Sequence, residues 1–269
     1  MRTRPIGSTN QAEALRSAPR RRSRGGFLAS VFLPASVCVG LCVTLPASAT
    51  ADEPPTLGEQ LDELSADFAK RAPEAMREAF AQGIEQVEAT GILEKALNVG
   101  DKAVDATLLD AEGGKVKLSS LWAEGPLVIS FYRGGWCPYC NLQLRAMERS
   151  LAELEGAGAR LVAVTPELPE KAKKTAEGNK LSLTVLTDKG NTLAGKMGVA
   201  FRLPDAILPI YKQRIDLNAY NGDDSYTLPL AATYVIDTAG VIRYAFLDAD
   251  YKKRAEPADV VAAVKRLQP

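Results

Sequence analysis

The sequence predicts an α/β fold, a central mixed sheet flanked by helices, with a helical extension ahead of it. Two observations carry the prediction. From Val99 onward, short runs rich in Val, Ile and Leu alternate with amphipathic stretches, the pattern of strands and helices in turn. Before Val99 the apolar residues recur only with the helical period.

The extension comes first. Leu57, Leu61, Leu64 and Phe68 fall in a four-three-four spacing that makes one stripe of a helix. Pro73 suits the first turn of a second helix, with Met76, Phe80, Ile84 and Val87 on its buried face and Gly91 as its stop. This pair, over 57–90, is read as a cap on the main domain or as a contact between two copies in a homodimer. It carries no chemistry of its own.

In the α/β region, strands are expected at 106–109, 127–132, 160–165, 183–186, 233–236 and 241–246. Helices are expected at 138–154, 169–178, 191–197 and 257–267. Asp237-Thr238-Ala239-Gly240 is a turn sequence that joins the last two strands into an antiparallel hairpin. Strand, helix, strand, helix, hairpin and terminal helix is the order of a thioredoxin-like fold. The stretch 200–228 departs from that minimal plan, with Pro204, Pro209, Asn221-Gly222 and tyrosines at 211, 220 and 226, and reads as a long insertion before the hairpin. Such insertions are lids, contact surfaces or decoration.

The amino terminus has the three-part pattern of a secretory signal peptide: a basic cluster at Arg20, Arg21, Arg22 and Arg24, an apolar run over 27–45, and Ala47-Ser48-Ala49. Cleavage is expected after Ala49 or Ala51. Pro34, Gly40 and Pro46 interrupt the run, which favours removal over a retained membrane anchor. The expected organisation is therefore an export segment at 1–51, the helical extension at 52–98 and a redox domain at 99–269. The working domain is expected in the periplasm or outside the cell, with membrane contact only if the amino-terminal segment stays uncleaved.

Composition limits the chemistry. The 269 residues hold 33 Lys and Arg against 33 Asp and Glu, four cysteines and no histidine. Without imidazole, Ser-His-Asp and Cys-His catalysis, His-ligated haem and HExxH zinc sites are excluded. The charge balance gives no electrostatic footprint for nucleic acid. Met1–Ala51 holds seven arginines and one glutamate, so the remainder carries 26 basic and 32 acidic side chains, a net charge of about −6. The same segment holds Cys38 and Cys42, which leaves Cys137 and Cys140 as the only later thiols.

Those two thiols lie in Phe131-Tyr132-Arg133-Gly134-Gly135-Trp136-Cys137-Pro138-Tyr139-Cys140, where a buried strand ends in a glycine pair and a helix begins. At a helix N-terminus, unpaired N–H groups and the macrodipole favour a thiolate, which here would be Cys137. Pro138 suits the first turn because its missing N–H would be unpaired there anyway. Trp136 covers the strand end. Cys140, one turn along, is close enough to bond Cys137, so the pair reads as an exposed attacking thiol and a buried resolving one. A zinc half-site would lack two ligands, and a disulfide closing so short a loop would add little stability.

The motif, with Asn141-Leu142-Gln143-Leu144-Arg145 after it, Val99-Gly100-Asp101, the stretch Thr233 to Gly240, and Asp250-Tyr251 with Arg254-Ala255-Glu256-Pro257, resembles the peroxiredoxin-like branch of the alkyl hydroperoxide reductase and thiol-specific antioxidant family. The resemblance implies a thiol peroxidase. Cys137 would attack the O–O bond of hydrogen peroxide or an alkyl hydroperoxide and become a sulfenic acid, and Cys140 would close the disulfide. Thioredoxin or a similar dithiol would then reduce it, with no metal, flavin or haem. Arg133, Gly134, Gly135, Trp136, Pro138 and Tyr139 would support the pair.

The usual family site has a Thr or Ser three residues before the peroxidatic cysteine and a Pro seven before, where this chain has Gly134 and Ser130. The arginine usual near Thr233 is also absent, the chain reading Leu228-Pro229-Leu230-Ala231-Ala232. Arg133 is the nearest candidate to replace that cation, its alternative being a surface arginine paired with a carboxylate. The other functional reading is an exported thioredoxin-like thiol–disulfide oxidoreductase, although Ala232 stands where those proteins carry a cis-proline.

Overall fold

The computed structural model describes residues 55–268, so the expected export segment at 1–51 lies wholly outside the described residues. The chain begins with α1 (Leu57–Arg71), α2 (Glu74–Glu88) and the short α3 (Ile92–Lys95). There follow β1 (Thr107–Asp110), β2 (Lys115–Lys117), α4 (Leu118–Trp122), β3 (Leu127–Phe131), α5 (Pro138–Arg149), α6 (Leu151–Gly156) and β4 (Arg160–Thr165). Next come α7 (Pro169–Asn179), β5 (Thr184–Thr187), α8 (Thr192–Lys196), β6 (Ala200–Arg202), α9 (Leu208–Arg214), α10 (Leu217–Asn221) and β7 (Thr227–Pro229). The chain closes with β8 (Thr233–Ile236), β9 (Ile242–Phe246) and α11 (Pro257–Lys265).

Seven strands form one mixed sheet in the order β2-β1-β5-β4-β3-β8-β9. β3, β4 and β5 run parallel, while β8 pairs antiparallel with both β3 and β9. The central strands are apolar at nearly every position because helices cover both faces and alternate side chains enter opposite layers. Val128, Leu161 and Ala163 join the layer containing α5, α6, α7 and α11; Leu127, Ile129, Phe131, Val162 and Val164 join the layer of α3, α4 and α8.

The helical pair of the extension forms as expected and is a cap on this domain. Thr56 and Glu59 make a capping box at the start of α1. The same helix end donates the Leu57 and Gly58 N–H groups to the carboxylate of Glu256, the N-cap residue of α11. Leu57 and Leu61 are buried among α5 and α11 residues.

Three details differ from the sequence expectation. The helix expected over 138–154 breaks at Ser150, whose backbone leaves helical geometry (φ −95°, ψ 0°) between α5 and α6. β2 was not expected, since three residues are too few to show a period of two. The insertion is not loose decoration: β6 and β7 pair in a ribbon, and Leu203, Ile207, Leu208, Tyr211, Leu217 and Leu228 make a small core of their own that packs against Phe80 and Trp136.

Candidate active site

β3 runs beneath the sheet surface to Phe131 and delivers Tyr132 and Arg133 at its carboxyl end. The chain then turns through Gly134 and Gly135. Gly134 has φ +150°, and a Cβ there would meet the Trp136 indole; one on Gly135 would meet the Thr175 side chain. Only glycine admits this close turn. The Gly135 N–H donates to Glu167 Oε1 (3.0 Å), and its carbonyl accepts from Asn141 Nδ2 (2.8 Å). Cys137 is the N-cap of α5, with Pro138 opening the helix. Every residue expected to support the site is therefore on this one turn.

Arg133 is 3% exposed and has no carboxylate partner among the described residues. Its Nη2 donates to Cys137 Sγ (3.0 Å) and its Nη1 to the Tyr211 hydroxyl (2.9 Å). The guanidinium also stacks over Tyr251, 4.4 Å from the ring centroid, and lies 5.3 Å from that of Trp136. Burial works against its charge, but Cys137, Tyr211 and Cys140 outweigh that and hold Arg133 firmly protonated. The surface-arginine alternative does not describe this residue.

A second guanidinium approaches from the loop before α11. Arg254 is buried, donates Nη1 to the Tyr251 and Lys253 carbonyls, and points Nη2 at Cys140 Sγ (3.5 Å). Two buried cations thus face two thiols. Burial raises the cost of a thiolate on Cys140, yet the hydrogen bond from Cys137, Arg254 and Arg133 together bring its pKa well below the usual thiol range. Cys137 is pushed up instead, by burial and by the bond it donates to Cys140, against the pull of Arg133.

One expectation is corrected here. Cys137 was expected to be exposed, but it is 1% exposed, because Trp136, Tyr211 and the extension wall it in. The thiolate expected on Cys137 from its helix-end position has the Arg133 guanidinium 3.0 Å from its sulfur, while Arg254 stands 3.5 Å from that of Cys140, so each thiol of the pair faces a cation of its own.

Cys137 nevertheless opens into a space that Cys140 does not reach. A cavity of about 270 Å³ is lined by Phe68, Met76, Phe80, Trp136, Tyr139, Ile210, Tyr211 and Tyr251 together with Arg133, Cys137 and exposed Arg214. Its aromatic walls lock together: Phe80 contacts Phe68, Tyr211 and Tyr251 at ring-centroid distances of 5.6, 6.2 and 5.8 Å. Ser65 of α1 donates to the Tyr139 hydroxyl (3.3 Å). The extension and the insertion therefore build the walls of a site whose thiols come from the core motif.

Glu167, just past β4, lies behind the turn. Fully buried, it accepts from Tyr132 (3.1 Å), Thr175 (3.2 Å) and Gly135 (3.0 Å). Burial raises its pKa despite these donors. Glu167, Tyr211 and Arg254 were not assigned to the site from the sequence. Arg254 stood within a stretch that carried the family resemblance, and Glu167 follows the carboxyl end of an apolar strand, but neither signal names the thiol each one serves.

A paired-thiol turn at the end of a parallel strand, capped by helices on a mixed sheet, defines a redox protein of the thioredoxin-fold class. The model of the AhpC/TSA family matches residues 99–245. The chain belongs to the AhpC/TSA family. It is 26% identical over 218 residues to chloroplastic peroxiredoxin Q of Triticum aestivum, an alignment covering 80% of this chain and 90% of that one. It is 30% identical over 103 residues to peroxiredoxin Bcp of Escherichia coli strain K12, covering 38% of this chain and 65% of that one. Peroxidoxin BcpB of Mycobacterium tuberculosis has a similar fold, with a TM-score of 0.51 at 21% identity over 64% of this chain and 99% of that chain.

Proposed function

We propose that the protein is a thiol peroxidase that reduces hydrogen peroxide or alkyl hydroperoxides. In this reading Cys137 Sγ attacks the outer peroxide oxygen, the O–O bond breaks, and water or an alcohol leaves. Cys140 then condenses with the Cys137 sulfenic acid, releasing water and forming the Cys137–Cys140 disulfide. A thioredoxin-like dithiol restores both thiols by exchange.

One observation carries the reading: Cys137 lines an aromatic cavity with the Arg133 guanidinium 3.0 Å from its Sγ, and among the described residues no carboxylate pairs with that charge. A buried cation without a carboxylate favours negative charge developing on the sulfur and on the departing oxygen. The cavity admits a small hydroperoxide. A protein disulfide would have to reach a sulfur that is 1% exposed, which weighs against the oxidoreductase alternative. For the same reason, reduction by a protein dithiol requires α2 or α9 to draw back from the site.

The remaining parts of the proposal concern organisation. Residues 52–98 act as a capping extension to a redox domain at 99–269, and the chain works outside the cytoplasm once the segment at 1–51 is removed. Cell fractionation with amino-terminal sequencing of the recovered protein tests export and cleavage together. A cytoplasmic chain that keeps residues 1–51 would refute it.

The activity is tested by stopped-flow fluorescence of Trp136, using reduced protein mixed with cumyl hydroperoxide and, separately, with a scrambled disulfide substrate. Oxidation by the hydroperoxide far above the rate of free cysteine is expected, with slow disulfide exchange. Brisk exchange with no peroxide phase would overturn the assignment.

A further inference from the structure

The cavity that Cys137 lines has a shape and a charge that the thiol chemistry alone does not use. Its walls are aromatic: Phe68 and Phe80 come from the extension, Tyr211 from the insertion, and Trp136 meets Tyr211 edge-on at a ring-centroid distance of 5.6 Å. Such walls take up an apolar or aromatic body through edge-to-face contacts. The volume of about 270 Å³ is that of about nine water molecules at roughly 30 Å³ each, enough for one substituted ring and too little for a long acyl chain. The two charged residues that line it are both cations, and no Asp or Glu lines it, in a chain whose residues 52–269 carry a net charge of about −6. Arg133 is committed to Cys137 and Tyr211, but Arg214, the last residue of α9, is exposed and pairs with no carboxylate among the described residues. The lining is also rich in donors. Arg133 Nε and Trp136 Nε1 are buried without an acceptor among the described residues, and the Tyr211 and Tyr139 hydroxyls already accept from Arg133 and Ser65.

We infer that this cavity binds a compact organic hydroperoxide that carries a carboxylate, and that Arg214 is the residue that recognises the carboxylate. The inference rests on the peroxidase reading above and names the substrate class of the same site. The peroxide group lies at Cys137 and Arg133, the body of the molecule against the aromatic walls, and the carboxylate at Arg214. A guanidinium is a planar fork that meets a carboxylate with two parallel N–H···O bonds. The redox step is unchanged. Cys137 gains the outer oxygen and loses two electrons, the O–O bond breaks, and the alcohol leaves with its carboxylate and with the proton that the Cys137 thiol gave up.

The assignment also gives the insertion a task, since α9 supplies recognition to a site whose thiols come from the core motif. Lys212, the other cation in the last turn of α9, lies over the Tyr226 ring, 4.9 Å from its centroid, and does not line the cavity. Arg214 is therefore the one charged group that lines the cavity and is not already held by the thiol site. A neutral hydroperoxide uses the walls and leaves Arg214 to solvent, and a small anion such as acetate uses Arg214 without the walls. Only a ligand with both parts uses the whole cavity.

The test uses the full chain in four forms: wild type, Arg214→Met, Arg214→Lys and Arg214→Glu. Cys137 oxidation is followed by stopped-flow tryptophan fluorescence with meta- and para-carboxycumyl hydroperoxide and with their carboxamides, which have nearly the same size and no charge. The measured quantity is the ratio of the carboxylate rate to the carboxamide rate, referred to the same ratio for free cysteine. One charge-assisted pair at a partly exposed site corresponds to a preference of about three- to tenfold. Wild type should favour the better carboxylate isomer by that factor, and salt should weaken the preference. Arg214→Met should abolish it, Arg214→Lys should keep part of it, and Arg214→Glu should reverse it. Binding of the unreactive isopropylbenzoates and isopropylbenzamides, read by quenching of tryptophan fluorescence, makes the same comparison without a redox step. Equal binding of benzoate and benzamide to wild type, or a carboxylate preference that survives Arg214→Glu, overturns the inference. Absence of any peroxide reaction in wild type would instead remove the peroxidase reading, while benzoate binding would still report on Arg214.

Discussion

Replacing Arg133 by Met removes the cation beside Cys137 while keeping much of the side-chain volume, and the size of the effect follows from the geometry. The Nη2 to Sγ distance is 3.0 Å in a buried setting, a charge-assisted bond whose loss costs about 1.5–3 kcal/mol of thiolate stabilisation. That corresponds to about one to two pKa units on the thiol pair. The thiolate fraction near neutrality then falls by about 10- to 100-fold. A more basic thiolate is also a better nucleophile, with a Brønsted coefficient of about 0.4–0.5, so the net loss in oxidation rate is about 3- to 15-fold. The assay is the stopped-flow oxidation rate across pH with thiolate absorbance recorded in parallel, and thermal melting confirms that the variant is folded. The variant's rate should climb to its plateau at higher pH than that of wild type. A folded Arg133→Met protein with unchanged rate and unchanged titration would refute the role given to this guanidinium.

Three further outcomes are expected. Phe80→Ala opens the aromatic wall contributed by α2, so KM for cumyl hydroperoxide should rise by roughly 5- to 30-fold, from about 1–2 kcal/mol of lost apolar contact, while hydrogen peroxide kinetics stay near wild type; equal effects on both peroxides would contradict the cavity as the organic-group site. Glu167 has its folded pKa raised by burial, so it contributes stability below its unfolded value that is lost as pH rises through the folded value. The Tm of the reduced wild type should therefore fall over that acidic-to-neutral interval relative to Glu167→Gln, and parallel Tm profiles would exclude an ionising carboxyl there. Gly134→Ala drives a Cβ into the Trp136 indole at a positive-φ position, which should slow peroxide oxidation and lower Tm; a variant indistinguishable from wild type in both would show that the turn is not confined as described.

Much of this site was legible in the sequence because its chemistry is local. The ten residues from Phe131 to Cys140 contain a strand end, a glycine turn and a helix start, and each of these has a sequence signal. The hairpin of β8 and β9 was legible for the same reason, through its turn residues. What could not be read arrives from far along the chain. Arg254 contacts Cys140 from 114 residues away and Tyr211 contacts Arg133 from 78, and no periodicity predicts such meetings. The burial of Cys137 was missed because its walls belong to the extension and the insertion, segments with no chemistry in their own sequence. How the charge is shared was equally out of reach, because a helix N-terminus argues for Cys137 alone, whereas the two sulfurs face two arginines brought in from different parts of the chain.

The central claim is that the peroxide oxygen goes to Cys137. Treating Cys140→Ser and Cys137→Ser proteins with one equivalent of cumyl hydroperoxide, trapping sulfenic acid chemically and locating it by peptide mass spectrometry tests that claim directly. Sulfenic acid on Cys137 in the Cys140→Ser protein, with little or none on Cys140 in the Cys137→Ser protein, is the predicted result. Rapid sulfenic acid formation on Cys140, with Cys137 left reduced in its partner variant, would contradict the account.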